Sequence, residues 1–483
     1  MKKTRLISAL LLIAMLAGCG TTESGNEETT SSGTDSTGET TADTSVKDDL
    51  PADLDFTGRE LRILSTENTG NAPIIPEEAT GDVLNDTIFE RNNKICERFG
   101  ITMTEESLMW SDARDKARNV ISAGDDVYDL IAIIDREALN CAVEGMVWYA
   151  DEVKNIDLKK PYWNQLLNEN STICGRQVLA YSDMAMTTYD FTHVLLFNKS
   201  MVEDLQLESP YDLVDNGTWT LDKFGEYSSL ASSDLNGDGK FDKSDRYGFV
   251  SLAKQIAPCF WIGAGCLSIE KNDEDIPVFD MGSEKMLSVL EKAYDLTWGS
   301  KSWFVQKEGD YESNIKLFTA DQALFGNSTF SDVFGEDYRN MESDYGIIPY
   351  PKYDEAQDTY YSRVEGGCPY FIPVTVADTS FAGAVMEAMS CESYNSVIPT
   401  YYEIALKTKY SRDDQSGKIL DMLMQNRVYD WGDTFFNPVV RDGFVFKKFN
   451  DGKQISASDI EANKKKVDAA IEKVVKAVTE KDS

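Results

Sequence analysis

Past residue 60 the apolar positions fall into short runs separated by stripes at helical spacing. Leu61 to Leu64 is an apolar-rich run that predicts a strand. Leu84, Ile88, Ile95 and Phe99 then lie on one helical face, and Gly100 supplies a stop. Ile101 to Thr104 predicts a second strand. Ala113, Ala117, Val120 and Ile121 predict a second helix, and Leu130 to Ile134 is an apolar run ending in Asp135. A strand buried on both faces carries such a run, and the β-α-β-α-β order predicts a parallel sheet covered by helices. In open sheets of that kind ligands bind beyond the carboxyl ends of the strands, which places Thr66, Glu67, Asn68 and Asp135 at a rim. For each of them a solvated loop position is the alternative.

Further along, Gln177 to Tyr181 and Val194 to Asn198 read as strands, the second feeding a helix that starts in Asn198-Lys199-Ser200. Thr220 is a predicted N-cap for a helix with Leu221, Phe224 and Tyr227 on one face. Tyr247 to Val250 reads as strand, and Met286, Leu290 and Leu296 belong to a core-facing helix. Phe318 to Asn327 predicts a helix end, a turn and a strand, and Tyr345 to Pro351 a short strand broken by prolines. Pro369 to Val376 predicts another strand, followed by a helix over Phe381 to Met389. At the C-terminus Ser458 and Glu461 form a predicted capping box, followed by a stripe of Ile460, Val467, Ile471, Val474 and Val478. No internal repeat is present.

Composition changes this picture in three places. The chain has 483 residues, 42% of them hydrophobic, enough for two or three domains. Its net charge of -36 repels phosphate backbones, which argues against a nucleic-acid partner. Gly20 to Asp49 is almost entirely Thr, Ser, Gly, Glu and Asp, too poor in apolar residues to fold, and reads as a disordered tether reaching on the order of 30 Å. Before it, Lys2, Lys3 and Arg5 precede an apolar run from Leu6 to Ala17, too short for a mature membrane span and read as a secretion signal. The run closes in Leu16-Ala17-Gly18-Cys19, which resembles the lipobox of bacterial lipoproteins. That resemblance implies acyl chains on Cys19 as the mature N-terminus, and two chains hold a protein at a membrane stably.

Seven cysteines remain after Cys19, at irregular spacings and without a metal-ligand pattern; buried thiols are the expectation, although Cys259 and Cys266 are close enough in sequence to bridge. The single histidine, His193, lies in a predicted strand, which argues against a Ser-His-Asp triad or a histidine metal site. Chemistry is most pointed in Asp234-Leu235-Asn236-Gly237-Asp238-Gly239-Lys240-Phe241-Asp242-Lys243-Ser244-Asp245. Asp234, Asn236, Asp238, Asp242 and Asp245 stand at positions 1, 3, 5, 9 and 12 of a twelve-residue calcium loop, with Gly239 at the sharp turn and the Lys240 carbonyl at position 7. A structural calcium is one reading and an Asx-rich turn without an ion the other. No catalytic cofactor is expected.

These pieces in this order resemble the extracellular solute-binding lipoproteins of bacterial ABC importers, in particular the sugar-binding family related to maltose-binding protein. The markers are Phe197-Asn198-Lys199 before a helix, the Trp219-Thr220 helix start, the Phe318 to Phe325 stretch and the Pro-ending strand of Tyr345 to Pro351. Asp321 stands where the family usually has glycine, and Phe197 where it tends to have tyrosine. The resemblance implies an α/β fold of the periplasmic-binding-protein-like type II, with two α/β lobes, a hinge and an interlobe ligand cleft. It implies a signal peptide at 1–18 and a lipidated Cys19 with linker over 19–50. One lobe is expected from 51–196 with 317–367 and the other from 197–316 with 368–483, with chain crossings near Phe197, Lys316 and Pro369. It further implies a monomer on the extracellular face of the cell membrane that closes on a carbohydrate or oligosaccharide and hands it to an ABC permease. Sugars present apolar faces and a rim of hydroxyls, so stacking aromatics and planar polar groups are sought. Trp261, Trp431, Asp135, Asn68 and Asn327 are the candidates, with core packing the alternative for both tryptophans.

Two non-receptor readings remain open. A surface glycoside hydrolase needs two carboxylates about 5–9 Å apart, a spacing that 83 acidic residues provide by chance. A calcium-dependent adhesion or glycan-binding protein rests on the 234–245 loop alone. A non-enzymatic receptor is the expectation, and the sequence does not name the ligand.

Overall fold

The apolar runs become strands of two main sheets. In the computed structural model the chain divides into Met1–Ser45 and a compact unit, Val46–Ser483. The structure describes residues 45–481 apart from 68–72, 308, 311, 334 and 410–414. Asn68, the lipobox with Cys19, the signal and nearly all of the tether lie outside the described residues.

In chain order the described strands are β1 (Glu60–Thr66), β2 (Thr102–Leu108), β3 (Leu130–Ala132), β4 (His193–Asn198), β5 (Tyr247–Leu252), β6 (Ile269–Lys271) and β7 (Pro277–Phe279). They continue with β8 (Trp303–Gln306), β9 (Ala323–Thr329), β10 (Tyr345–Ile348), β11 (Ser362–Arg363), β12 (Tyr370–Phe371) and β13 (Arg427–Val428). The first sheet has the order β12-β3-β1-β2. Its β1, β2 and β3 run parallel, and the two helices between them, Val83–Phe99 and Trp110–Ala123, bury the predicted stripes except Val120, which is half-buried. Asp82 caps the first helix by accepting from the Asn85 amide, and Gly100 ends it at φ 68°, a left-handed turn that favours glycine.

The second sheet has the order β10-β4-β9-β5-β8. Here β4 pairs antiparallel with β9 and β10, while β5 runs parallel to β8 and β9. All six side chains of β4 are buried, as its apolar run requires. Thr220 caps the helix Leu221–Ala231, whose Leu221, Phe224 and Tyr227 are buried as predicted. Two α/β lobes are therefore present, but the pairing corrects their composition. Residues 317–367 contain β9 and β10, hydrogen-bonded into the second sheet, so the expected place of this segment in the first lobe does not hold. Conversely β12 pairs with β3, and the following helix Ser380–Glu392 buries Phe381, Val385 and Met389 in the core of the first lobe, not the second. There is accordingly no crossing at Lys316, which lies between two strands of one sheet. The first crossing precedes β4, ahead of Phe197, and a return crossing over 364–369 agrees with the position expected near Pro369.

Smaller departures have local causes. The C-terminal helix Ala457–Glu480 is capped by Ser456 with Asp459, two residues before the predicted box, because Asp459 returns a bond to the Ser456 amide. Its five-residue stripe is buried as predicted. Of the strands predicted at 177–181 and 369–376, what forms is the short β12 with bridges from Ala180 to Tyr370 and from Val147 to Pro373. None of the seven described cysteines is in a disulfide, and Cys259 and Cys266 are separate buried thiols.

Candidate functional site

Where β3 ends, the chain turns directly into the helix Asp135–Val143, and this places Asp135 at the rim of the first sheet. Its backbone amide donates to the Gly367 carbonyl (3.0 Å), which ties the β3 rim to the crossing segment. Its carboxylate Oδ1 accepts from the Arg136 amide at 2.7 Å, whereas Oδ2 has no partner although the residue is 2% exposed. Tyr181 and Tyr429 stack beside Gly367 with ring centroids 5.1 Å apart, and their buried hydroxyls neighbour each other without the geometry of a hydrogen bond. Gly367 is required here, because a Cβ would stand 2.0 Å from the Tyr429 hydroxyl. Burial pushes the Asp135 carboxyl up to about 7; Glu365 adds to this, and the Arg136 amide with Arg136 and Arg441 oppose it. Burial also holds both tyrosines well above 10, with Asp135 contributing to each.

Cys368 links this cluster to a small, partly open cavity of about 30 Å³ that Arg91, Thr187 and Tyr370 also line. Such a volume accommodates roughly two waters and no sugar ring. Arg91 is buried and directs all of its N–H groups at neutral acceptors: Asn92 Oδ1, Ser393 Oγ and the carbonyls of Ile74 and Met184. Among the described residues no carboxylate pairs with it, and burial lowers its pKa to about 10. The Tyr370 hydroxyl, also buried, is without a hydrogen bond.

Beneath the crossing segment lies a network of charges. Arg363 makes a two-pronged bond to Asp433, and Arg441 binds both Asp433 (3.1 Å) and Glu365 (2.5 Å). Against burial, which raises it, Arg441 and then Arg363 hold Glu365 well below the carboxylate range. His193 is the partner of Arg363 on the other side, Nε2 to Nη1 at 2.7 Å. A guanidinium only donates, so the imidazole accepts at Nε2 and carries its proton on Nδ1.

The other predicted site residues surround this network without meeting at one point. Asn327, in β9, donates to Tyr350 at 2.5 Å and leaves its Oδ1 without a partner. Trp261 is fully buried and donates to Asp430 at 2.7 Å; Ser268 also donates to that carboxylate. Trp431 donates to the Asn170 carbonyl and packs on Phe435 and Phe436. Both indoles are thus core anchors in this conformation. Sequence pattern singled out Asp135 alone from the polar cluster. Tyr181 lay in a strand-like run and Tyr429 beside Trp431, while Arg91 carried no signal beyond its place on an otherwise ordinary helix.

In the 234–245 loop the side-chain oxygens cap backbone amides. Asp234 accepts from Gly237 and Gly239, Asn236 from Asp238, Asp238 from Lys240 and Asp242 from Ser244. Asp245 is fully buried and accepts from Leu235 and Asp242, closing the two ends of the loop. Gly239 turns at φ +79°. Donor type and order fit calcium, but among the described residues no group of three or more His, Cys, Asp or Glu side chains is gathered as a metal site.

No family model matches the chain, and no curated protein sequence matches it. Solved structures do match in fold. The sugar-binding protein MalE from Xanthomonas citri aligns over 86% of this chain and 98% of its own, with TM-score 0.59 and 11% identity. An ABC substrate-binding protein from Listeria monocytogenes in complex with cycloalternan aligns over 86% and 99%, with TM-score 0.55 and 11% identity. A maltose/maltodextrin-binding domain from Bdellovibrio bacteriovorus bound to maltotriose aligns over 84% and 99%, with TM-score 0.52 and 17% identity. At these identities the likeness is one of fold: the α/β architecture that these solute-binding proteins share with this chain. Among the described residues no helix is long and apolar enough to cross a membrane.

Proposed function

We propose that this chain is the membrane-tethered substrate-binding component of an ABC importer, capturing an extracellular carbohydrate or oligosaccharide and delivering it unchanged to a permease. The observation that carries this reading is the cluster of Asp135, Tyr181 and Tyr429 around Gly367, at the strand rim where the chain passes between lobes. It holds three buried polar groups with unmet hydrogen-bonding capacity. Leaving such groups unsatisfied costs about 1–3 kcal/mol each, a cost that a hydroxyl-bearing ligand removes. The adjoining cavity is too small for a sugar ring, so ligand enters an opened form, and contacts to both lobes then select the closed one. The Leu16-Ala17-Gly18-Cys19 motif supports the lipid anchor, and the polar linker after it a tether on the outer face of the membrane.

A hydrolase would need a second carboxylate free to activate water. Glu365, whose charge raises Asp135, is bound to Arg441 and Arg363 and has no such freedom. Calcium at 234–245 is a separate proposal, supported by the order of oxygen donors and by the closure that Asp245 imposes.

The receptor reading is tested by calorimetry on the full-length chain in detergent against monosaccharides and malto-, cello- and xylo-oligosaccharides. One saturable site per chain and ligand recovered intact are expected. A panel without a binder, or steady release of cleaved sugar, refutes the reading.

A further inference from the structure

β8 is an edge strand of the second sheet, hydrogen-bonded to β5 alone. Beside it the chain builds a pocket of about 390 Å³, open to solvent, that shares no lining residue with the Asp135 cluster or the charge network. Small-molecule sites occupy roughly 300–1,000 Å³, so this one has room for a single ring system and its substituents. Its walls are aromatic. Trp303 is held in place, since its N–H donates to Ser251 at 2.8 Å and its ring lies nearly parallel to that of Phe249. Trp298 meets Trp303 edge-on at 5.1 Å, and Tyr247 packs on Phe241 and Phe304 at 5.8 and 5.3 Å. Phe241, Trp298 and Phe304 are only half-buried, so each keeps apolar surface that a ligand can cover. Phe241 and Gly239 come from the 234–245 loop, whose Asp242 carbonyl accepts from the Tyr247 hydroxyl at 3.1 Å. The self-capped turn therefore fixes one wall of the pocket.

Polar groups in the walls decide the class of ligand. The hydroxyl protons of Thr297 and Ser300 go to the carbonyls of Ala293 and Leu296, at 2.6 and 2.8 Å, as that of Tyr247 goes to Asp242. Among the described residues no carboxylate or carboxamide side chain lines the pocket, so the hydroxyl rim of a sugar lacks the planar partners it needs there. Donors are left over instead. The Trp298 N–H is buried without an acceptor. Lys301 is exposed, its ammonium 5.9 Å from the centre of the Phe241 ring, and among the described residues it makes no ion pair. We propose that this pocket is a second ligand site, for a flat aromatic molecule that carries one carboxylate. The aromatic body covers Phe241, Trp298 and Phe304, and the carboxylate meets the Lys301 ammonium at the rim. This site stands independently of the sugar-receptor reading.

The test uses the full-length chain reconstituted in phosphatidylcholine vesicles, so that no detergent competes for the apolar walls. The buffer is at pH 7 with about 0.15 M salt, which screens the chain's net charge beyond about 8 Å. Indole-3-acetate is titrated by calorimetry beside indole-3-acetamide, which has the same ring system and no charge. One saturable site per chain is expected, with the acetate bound about threefold to fivefold more tightly than the amide, the size of one exposed charge contact. Lys301→Glu is expected to reverse that order while leaving the affinity for the amide within about twofold. Phe304→Ala is expected to weaken both compounds about fivefold, by loss of ring contact. No saturable binding of the acetate, equal affinity for acetate and amide, an order unchanged in Lys301→Glu, or affinities unchanged in Phe304→Ala each overturn the proposal. None of these results bears on the receptor reading, because neither substitution lies in the Asp135 cluster.

Discussion

Arg363 and Asp433 face each other fork to fork inside the protein, Nε 2.5 Å from one carboxylate oxygen and Nη2 2.9 Å from the other, with neither side chain reaching solvent. Arg441 and Glu365 extend the pair, so the segment that follows Tyr429 is clamped onto the strand that leads to Gly367. Breaking a buried pair by removing one partner strands the other charge, at a cost of about 3–5 kcal/mol. Asp433→Ala is therefore expected to lose that much stability in urea unfolding, and Arg363→Met with Asp433→Leu to regain most of it. A loss below 1 kcal/mol for the single change would show that the clamp does not hold this region.

Asp135 makes stability depend on pH in a definite direction. Its folded carboxyl titrates at about 7 and an unfolded aspartate near 3.9, so between those values the native state holds the extra proton. Stability from this group is fully present below about pH 4 and is lost as pH rises to about 7, a difference of roughly 3–4 kcal/mol. Glu365, Arg136, Arg441, Tyr181 and Tyr429 act on it, and Asp183 and Asp430 are raised in the same way, so the comparison must be with Asp135→Asn. The variant is expected to be more stable than the parent at pH 8 and not at pH 4, by urea midpoints. Sugar affinity of the parent is expected to fall as pH drops below 7, since the proton occupies the oxygen the ligand hydroxyl needs.

How much of this was legible depends on whether a residue's role is local. Gly100 and Thr220 act within one turn of their own helices, and each is readable from its neighbours or from the periodicity it interrupts; Asp82, a cap of the same local kind, carries no such mark in the sequence pattern. Asp321 shows the next step. It occupies a left-handed turn (φ 59°) where glycine is expected, held there as its carboxylate accepts from Asn198 and Ser343, more than twenty residues away on either side. The departure from the family pattern was visible, and its compensation was not. Lobe membership failed for a related reason: β9 and β10 have ordinary strand sequences, and nothing local says which sheet they join. The polar cluster is the extreme case, since Tyr181, Gly367 and Tyr429 meet only because three distant segments converge. Trp261 and Trp431 carry chemistry that sugar binding and core anchoring share, and their N–H partners, Asp430 and the Asn170 carbonyl, are not legible from the sequence around either indole.

Calcium at 234–245 would have to draw five side chains from the amides they now cap toward one ion. Any such binding to the native state raises the unfolding midpoint in a dose-dependent way. A rise with added calcium, reversed by a chelator and absent in Asp242→Ala, is expected in thermal unfolding. The same midpoint in calcium and in chelator would leave the loop as a self-capped turn.

Gly367 offers a steric test of the cluster. Its backbone lies outside the left-handed region, so alanine meets no conformational penalty there and only the clash counts. The added Cβ would sit 2.0 Å from the Tyr429 hydroxyl and 3.3 Å from the Tyr181 ring, in a region where both rings are buried. Overfilling of this kind costs about 1–3 kcal/mol. Tyr429→Phe removes the atom in the way, so the double variant is expected to recover more than the sum of the single effects allows, a coupling of roughly 0.5–3 kcal/mol in urea unfolding. Ligand affinity should not recover with it, because the phenylalanine has lost the hydroxyl that the sugar would use. Recovery of stability without recovery of binding separates packing from recognition at one atom. Recovery of both would mean that Tyr429 only fills space, and would remove it from the ligand site.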